Sequence, residues 1–373
     1  MIVMTDKPAI PELEVCALSK RFRDSTAVQD VSFRIWPGEF VSLLGPSGCG
    51  KTTTLRMIAG FVTPDEGQIL LRGQDITRFP PHRRKVGLVF QNYALFPHMS
   101  VEQNVGFGLR MQRASSSQTR DRVNWALNRV RMSGLEKRRP HELSGGQQQR
   151  VAVARVLAAG ASLLLLDEPF SNLDAKLRHS MQIELRDLQQ QLGVTAIHVT
   201  HDQEEAMAVS ERLIVMNAGR TEQDGSAEDL YIRPASQFVA NFIGYGNRIQ
   251  GRVQQEEANA EFVRFDIESG ATILASRANS SVLTGRIIAF VRPEDVIVGP
   301  AGSHPPEKGN VLRGTVRRKV FLGPTTTLHV ALNERTELFV KIASNAVSAL
   351  NLGSSSDTVD IWLPPERIRL LPD

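Results

Sequence analysis

Near the start of the chain apolar and polar positions largely alternate. Residues 13–18 and 27–36 read as strands, a turn at Pro37-Gly38 follows, and a short apolar run covers 40–44, which together predict a hairpin-rich sheet. The pattern then changes: a glycine-rich loop from Gly45 leads into a helix over 51–60, closed by Gly60. Short strands are predicted over 67–71 and 86–90. Helical spacing dominates 100–135, with Val123, Ala126, Leu127 and Val130 on one face, so a helical insert is expected, and the serines at 115–117 read as a loop at a helix boundary. A helix from Gln147, a buried strand over 163–166 and a β-rich run over 195–199 complete the series. Between the last two lies a helix whose stripe of Leu177, Met181, Leu185, Leu188 and Leu192, stopped by Gly193, reads as core packing. Continuous apolar strands alternating with helices argue for an α/β unit with a parallel sheet covered on both faces. After about Asn241 short β-branched runs are separated by Gly, Pro, Asn and Ser, the texture of a second, all-β domain. The expected boundaries are 12–240, with a helical part at about 98–145, and 241–373.

Length and composition narrow the choice. A chain of 373 residues suits two or three domains. The most apolar stretch, 151–166, contains Arg155 and Gly160 and ends in Asp167 and Glu168, short of the roughly 20 residues of a membrane-spanning helix. Residues 1–11 carry an acid and two prolines and lack the order of a secretory signal, so the protein is expected to stay in the compartment where it is made. Two cysteines, Cys16 and Cys49, fit a reducing cytosol and supply no metal-ligand cluster; Cys16, on an apolar strand, is expected to be buried. A net charge of +4 with 6% aromatic residues argues against a general nucleic-acid surface, and no nucleic-acid partner is expected.

Three motifs carry chemistry. Gly45-Pro46-Ser47-Gly48-Cys49-Gly50-Lys51-Thr52 matches the phosphate-binding loop G-x-x-x-x-G-K-[ST]. Its glycines let backbone N–H groups close around phosphate oxygens, Lys51 adds a point charge at the outer phosphates, and Thr52 can ligate magnesium. Thr53, next on the helix, joins the nucleotide-binding candidates, and bulk added to Cys49 by alkylation would stand where phosphates sit. The strand at 163–166 ends in Asp167 and Glu168, the first placed to hold magnesium through water, the second to activate an attacking water. Leu143-Ser144-Gly145-Gly146-Gln147 opens a helix, so free N–H groups, the helix dipole and a hydroxyl converge where an anion can dock. An ordinary capped helix would look similar, but one nucleotide needs no second anion grip unless that grip holds a nucleotide bound by another copy.

With these residues in order, the chain resembles the ATP-binding subunits of ABC importers, in the branch that includes the maltose, spermidine/putrescine, ferric iron and sulfate transporters. The likeness covers most of the chain. It runs through the phosphate loop, Gln91 in Val-Phe-Gln-Asn-Tyr-Ala-Leu-Phe-Pro-His and the signature at 143–147. It continues through Leu166-Asp167-Glu168-Pro169, the loop Ser171-Asn172-Leu173-Asp174, and His201 in Val-Thr-His-Asp-Gln-Glu-Glu-Ala. The resemblance implies an α/β P-loop NTPase with a parallel-sheet core, an antiparallel β subdomain and a helical subdomain. It also implies a C-terminal all-β, OB-like regulatory domain, expected as a five-stranded barrel and carrying Phe290-Val291-Arg292-Pro293-Glu294.

The resemblance further implies ATP and Mg2+ as cofactors and a head-to-tail homodimer, each ATP lying between one copy's phosphate loop and the other's Ser144, Gly145 and Gly146, with Gln147 closing the signature. Gln91 would bridge magnesium, the attacking water and the membrane partner. His201 would hydrogen-bond the γ-phosphate, and Asp174 would join the two sites across the interface. Adenine would stack on an aromatic side chain after the first strand, where Phe22 stands; core of the hairpin sheet is the other reading of Phe22. Two transmembrane permease subunits and, indirectly, an extracytoplasmic solute-binding protein are the implied partners, which puts the chain peripherally on the cytoplasmic face of the plasma (inner) membrane. The expected function is ATP hydrolysis that energises solute uptake, the solute being chosen by the other subunits.

Two other classes compete. A soluble ABC-type ATPase acting on nucleic acid or ribosomes would use the β domain as its binding module, but the chain has one complete cassette and no coiled-coil insertion. A small-molecule kinase sharing only the phosphate loop would leave the signature and the His201 region unexplained.

Overall fold

The computed structural model describes residues 10–23, 25–171, 173–254, 261–268, 270–277, 286–303, 309–350 and 357–372. The readings made on residues 1–9 and on Asn172 lie outside them. The chain divides into two compact units, Met1–Ala227 and Glu228–Asp373.

In chain order the first unit contains β1 (Leu13–Phe22), β2 (Ser25–Ile35), β3 (Phe40–Leu44), α1 (Lys51–Ala59), β4 (Glu66–Leu71), β5 (Gln74–Asp75) and β6 (Val86–Val89). There follow α2 (Val101–Val105), α3 (Phe107–Met111), α4 (Ser116–Arg129), α5 (Gly145–Ala158), β7 (Leu163–Asp167), α6 (Ala175–Leu192), β8 (Thr195–Thr200), α7 (Gln203–Val209), β9 (Arg212–Asn217) and β10 (Arg220–Gly225). An antiparallel sheet has the order β2-β1-β4-β5, and a second sheet the order β10-β9-β3-β8-β7-β6, in which only the β9–β10 pair is antiparallel.

Two cores lie on the two faces of that second sheet, and strand periodicity separates them. Leu163 and Leu165 of β7 join a cluster with α1 and the antiparallel sheet, whereas Leu164 and Leu166 join one with α2, α4, α5 and α6. Each fully buried aliphatic side chain contributes about 1.5–3 kcal/mol, so both coats are held firmly to the sheet. No helix among the described residues is long and apolar enough to cross a membrane.

Helix ends follow the local chemistry. Gly60 closes α1 at φ 87° and Gly193 closes α6 at φ 63°, the left-handed stops that glycine accepts without penalty. Ser115 and Gln118 form a capping box, so the serine run is the first turn of α4 with its cap rather than a loop. Ser144 and Gln147 do the same for α5, which therefore begins two residues earlier than the expected Gln147. On α6 the stripe is buried at Met181, Leu185 and Leu188, but Leu177 is 39% exposed: it sits in the first turn, outside the cluster that the others join. Cys16 is half-buried, not buried, since its strand position is only partly covered.

The second unit contains most of α8 (Ala227–Ile232), then α9 (Gln237–Phe242), β11 (Asn247–Val253), β12 (Phe262–Ile267), β13 (Thr272–Ser276), β14 (Ile287–Val291), β15 (Ile297–Pro300), β16 (Asn310–Phe321), β17 (Thr325–Ala331), β18 (Glu337–Ala343), β19 (Thr358–Leu363) and β20 (Arg369–Pro372). The described strands form two five-stranded antiparallel sheets, β13-β12-β11-β14-β20 and β15-β19-β16-β17-β18, around one apolar core. The barrel expectation of five strands is corrected accordingly: alternating burial shows that a strand has an inner face but not how many strands share the core. The texture change near Asn241 marks where strands begin, while the compact unit starts at Glu228 and takes in the helix α9.

Candidate active site

Four neighbouring strands of the parallel sheet, in the order β3-β8-β7-β6, deliver the motif residues at their carboxyl ends. The phosphate loop follows Leu44 of β3, His201 follows Thr200 of β8, Asp167 ends β7 with Glu168 next, and Gln91 stands two residues past Val89 of β6. The register holds these ends level, with Leu44 opposite Thr200, Asp167 opposite Val199 and Val89 opposite Leu166. In open α/β sheets this edge is where ligands bind.

The loop is shaped for close backbone approach. Gly48 and Gly50 take φ of 80° and 104°, which side chains with a Cβ resist. A Cβ on Gly45 would overlap the Met216 carbonyl, so β9 backs the loop directly. Lys51 opens α1 with its side chain folded over the loop, donating to the Gly45 and Pro46 carbonyls at 2.7 and 2.9 Å. Ser47 and Gly48 are exposed, Pro46, Thr52 and Thr53 half-exposed, and Cys49 buried beneath.

At the end of β7, burial pushes the Asp167 carboxyl above its ordinary pKa, while Arg56 pulls it down and Glu168 pushes it up. Glu168 sits at φ 46°, a left-handed backbone that costs a non-glycine residue about 1–2 kcal/mol and turns its side chain off the strand line. Its N–H donates to Val199 at 3.0 Å, and its carboxylate Oε1 lies 3.3 Å from His201 Nδ1. Two residues far apart in sequence, both singled out above, thus meet.

The signature is elsewhere. α5, with Ser144 as its cap, belongs to the core on the face of the sheet opposite α1. The N-termini of α1 and α5 in one chain therefore do not face one another. Gly145 is half-buried, and Gly146 packs against α6, where a Cβ would lie 2.6 Å from Met181 Sδ. Asp174 is exposed and its carboxylate caps α6, accepting from Leu177 N–H at 3.0 Å. Phe22 ends β1, is 46% exposed as a residue and has Lys20 Nζ 5.5 Å from its ring centre, which removes the reading that it is core. Gln91 is exposed.

Sequence reasoning missed a buried support under His201. On β8, His198 has Nε2 2.6 Å from Glu205 Oε1 of α7 and Nδ1 2.9 Å from Ser42 Oγ of β3. This ties α7 to the sheet next to the loop that carries His201. It also missed the grip of Arg155 on the Tyr93 and Ala94 carbonyls, at 2.8 and 2.7 Å. The signal available was a lone cation within an apolar helical run.

Comparison with known proteins shows the family. Residues 28–171 match the family model for the ABC transporter, and residues 289–371 that for the TOBE domain. The spermidine/putrescine import ATP-binding protein of Thermobifida fusca is 43% identical over 376 residues, covering 100% of this chain and 96% of the relative. Its counterpart from Acidothermus cellulolyticus is 46% identical over 358 residues, 93% of this chain and 90% of the relative. Among solved structures, cbiO1 from Clostridium perfringens, part of the ABC transporter complex cbiONQ, is similar at a TM-score of 0.53 and 32% identity, over 58% of this chain and 89% of its own. The alternative of an ATPase acting on nucleic acid or ribosomes gains no support from these relatives. Matched along nearly the whole length of such proteins, the chain belongs to the ABC import ATP-binding proteins, ATP-hydrolysing subunits that energise solute uptake.

Proposed function

We propose that two copies of the chain sandwich two ATP molecules, each held by the phosphate loop Gly45–Thr52 and Thr53 of one copy and by Ser144, Gly145, Gly146 and Gln147 of the other. The observation that carries this reading is the placement of α1 and α5 on opposite faces of one sheet, so that a second copy must bring the signature to the phosphates. Lys51 neutralises the outer phosphates, and the Phe22 ring stacks on adenine. Thr52, Gln91 and, through water, Asp167 would hold Mg2+. Hydroxyl, amide and a single carboxylate are the oxygen donors that ion accepts alongside phosphates, and it would supply charge neutralisation there. Asp174 joins the two sites across the interface.

In the reaction, the Glu168 carboxylate takes a proton from water as its oxygen bonds to the γ-phosphorus in line with the bridging oxygen. The bond to that oxygen breaks, leaving ADP and inorganic phosphate. His201, set against Glu168, donates to the γ-phosphate and stabilises the charge developing on it. Closure on ATP and reopening after hydrolysis drive two transmembrane permease subunits contacted near Gln91, with the chain bound peripherally at the cytoplasmic face of the plasma membrane. A solute-binding protein outside delivers the solute, and the second unit is the regulatory part. The names of the relatives favour spermidine and putrescine as the solute class.

The test is mass spectrometry of proteins recovered with tagged Glu168→Gln from detergent-solubilised native membranes, with and without magnesium ATP. Multi-span proteins encoded with a polyamine-binding protein are expected. Ribosomal proteins or nucleic acid from the soluble fraction, with no membrane partner, would overturn the reading.

A further inference from the structure

Both ends of α5 bear on the chemistry. Ser144 caps its N-terminus, and its last full turn carries Arg155. At 1.5 Å per residue these positions are roughly 16 Å apart along the helix axis. The Arg155 guanidinium reaches into the loop that follows Gln91, Nη1 donating to the Ala94 carbonyl at 2.7 Å and Nη2 to the Tyr93 carbonyl at 2.8 Å. Tyr93 and Ala94 are consecutive non-glycine residues at φ of 59° and 45°, a left-handed pair that L residues disfavour. A two-pronged donor on both carbonyls holds that turn closed.

The same turn reaches the other half of the site. Tyr93 is buried, and its hydroxyl donates to the Pro169 carbonyl at 3.2 Å, next to Glu168. One residue beyond Arg155, Val156 seats α5 on β6: a Cβ on Gly87 would overlap the Val156 side chain. The helix therefore rests on the strand that leads into Gln91 and grips the turn that follows it.

The choice of residue is informative. Burial alone pushes the Arg155 guanidinium below its ordinary pKa, and among the described residues no carboxylate pairs with it; its partners are the two carbonyls and the Phe96 ring, 6.0 Å away. Filling that space would need only a Met or Leu. A half-buried guanidinium, planar and forked, is suited to fixing two carbonyls at set positions.

We propose that Arg155 is a positioning residue that sets Gln91 and Glu168 of one copy according to the nucleotide gripped by Ser144 of that same copy, which presupposes the two-copy sandwich. That nucleotide sits on the partner's phosphate loop. When its γ-phosphate docks at the start of α5, the helix shifts as a rod, Arg155 draws the Tyr93–Ala94 turn with it, and the Tyr93 hydroxyl carries the shift to Pro169. Each site is thereby informed of the occupancy of the other, and Arg155 itself touches no reactant.

The test uses the purified full-length chain. Arg155→Lys keeps the charge and loses the two-pronged geometry; Arg155→Met keeps the bulk and loses both donors. Both are expected to retain the melting temperature and ATP affinity of the parent, to lose about tenfold in kcat, and to show a Hill coefficient for ATP reduced to near one. A double-mutant cycle with Ser144→Ala then separates coupling from simple damage. If Arg155 works through the helix that Ser144 anchors, the double variant is no worse than the poorer single variant. Losses that multiply would overturn the proposal, as would variants that keep both kcat and cooperativity. If Arg155→Met does not fold, Arg155→Lys alone carries both readouts. Failure of the sandwich is seen separately, as absence of an interchain disulfide on mild oxidation of a mixture of Ser47→Cys and Ser144→Cys chains; normal Arg155 variants beside a parent that gives that disulfide reject the role of Arg155 alone.

Discussion

His201 Nδ1 lies 3.3 Å from Glu168 Oε1, across the carboxyl ends of the adjacent parallel strands β8 and β7. The carboxylate is partly covered, 29% exposed, while the imidazole is 57% exposed. The two side chains to which general-base and phosphate-binding roles are proposed are thus held in one hydrogen-bonding unit.

Glu168→Gln is expected to lose on the order of 10²–10⁴ in hydrolysis, the range for removing a general base, with ATP binding retained. His201→Ala should lose about 10²-fold or more with its ATP affinity within a few-fold of the parent. Steady-state hydrolysis beside equilibrium nucleotide binding checks both, and turnover near normal in either variant would remove that residue from the mechanism.

Asp167→Asn separates stability from activity. Burial already disfavours the Asp167 carboxylate, so the neutral amide should raise the melting temperature of the nucleotide-free chain while magnesium-dependent hydrolysis falls at least about 10²-fold. A lower melting temperature would show that the carboxylate stabilises the fold.

Gly87→Ala tests the seat of α5. The added methyl would overlap Val156, and overpacking of this kind typically costs about 1–3 kcal/mol. Denaturant unfolding should show that loss, and Val156→Ala in the same chain should recover part of it.

What could be read from the sequence was what is decided locally. Gly60 and Gly193 announced their helix ends because a left-handed stop needs no distant partner, and the apolar run at 163–166 ending in two acids announced a strand with its chemistry at the end. The phosphate loop was legible for the same reason. The meeting of His201 with Glu168, the opposite faces taken by α1 and α5, and the grip of Arg155 on Tyr93 and Ala94 depend on strand order and on which way each helix packs. No window of neighbouring residues contains that information. Leu177 shows the same limit: its spacing matches the buried stripe, yet the core does not extend to the first turn of α6.

In the second unit, burial and then the Glu294 carboxylate that accepts its hydroxyl push Tyr231 up to about 12 from an ordinary 10.0. The folded state therefore holds this proton more tightly than the unfolded chain. The resulting stability is fully present below pH 10 and is lost as pH rises through about 12. Chemical denaturation of parent and Tyr231→Phe across that window should show a steeper decline in the parent, and parallel curves would contradict the assigned hydrogen bond.

The central claim is that the site is built from two copies, and disulfide trapping between singly marked chains tests it most directly. In a chain cleared of thiols by Cys16→Ser and Cys49→Ser, one preparation carries Ser47→Cys in the phosphate loop and another Ser144→Cys in the signature. On mild oxidation the mixture is expected to give a covalent dimer that contains one chain of each kind. Absence of that product from the mixture, together with an intrachain bond in a chain carrying both substitutions, would contradict the account, since phosphate loop and signature would then meet within one chain.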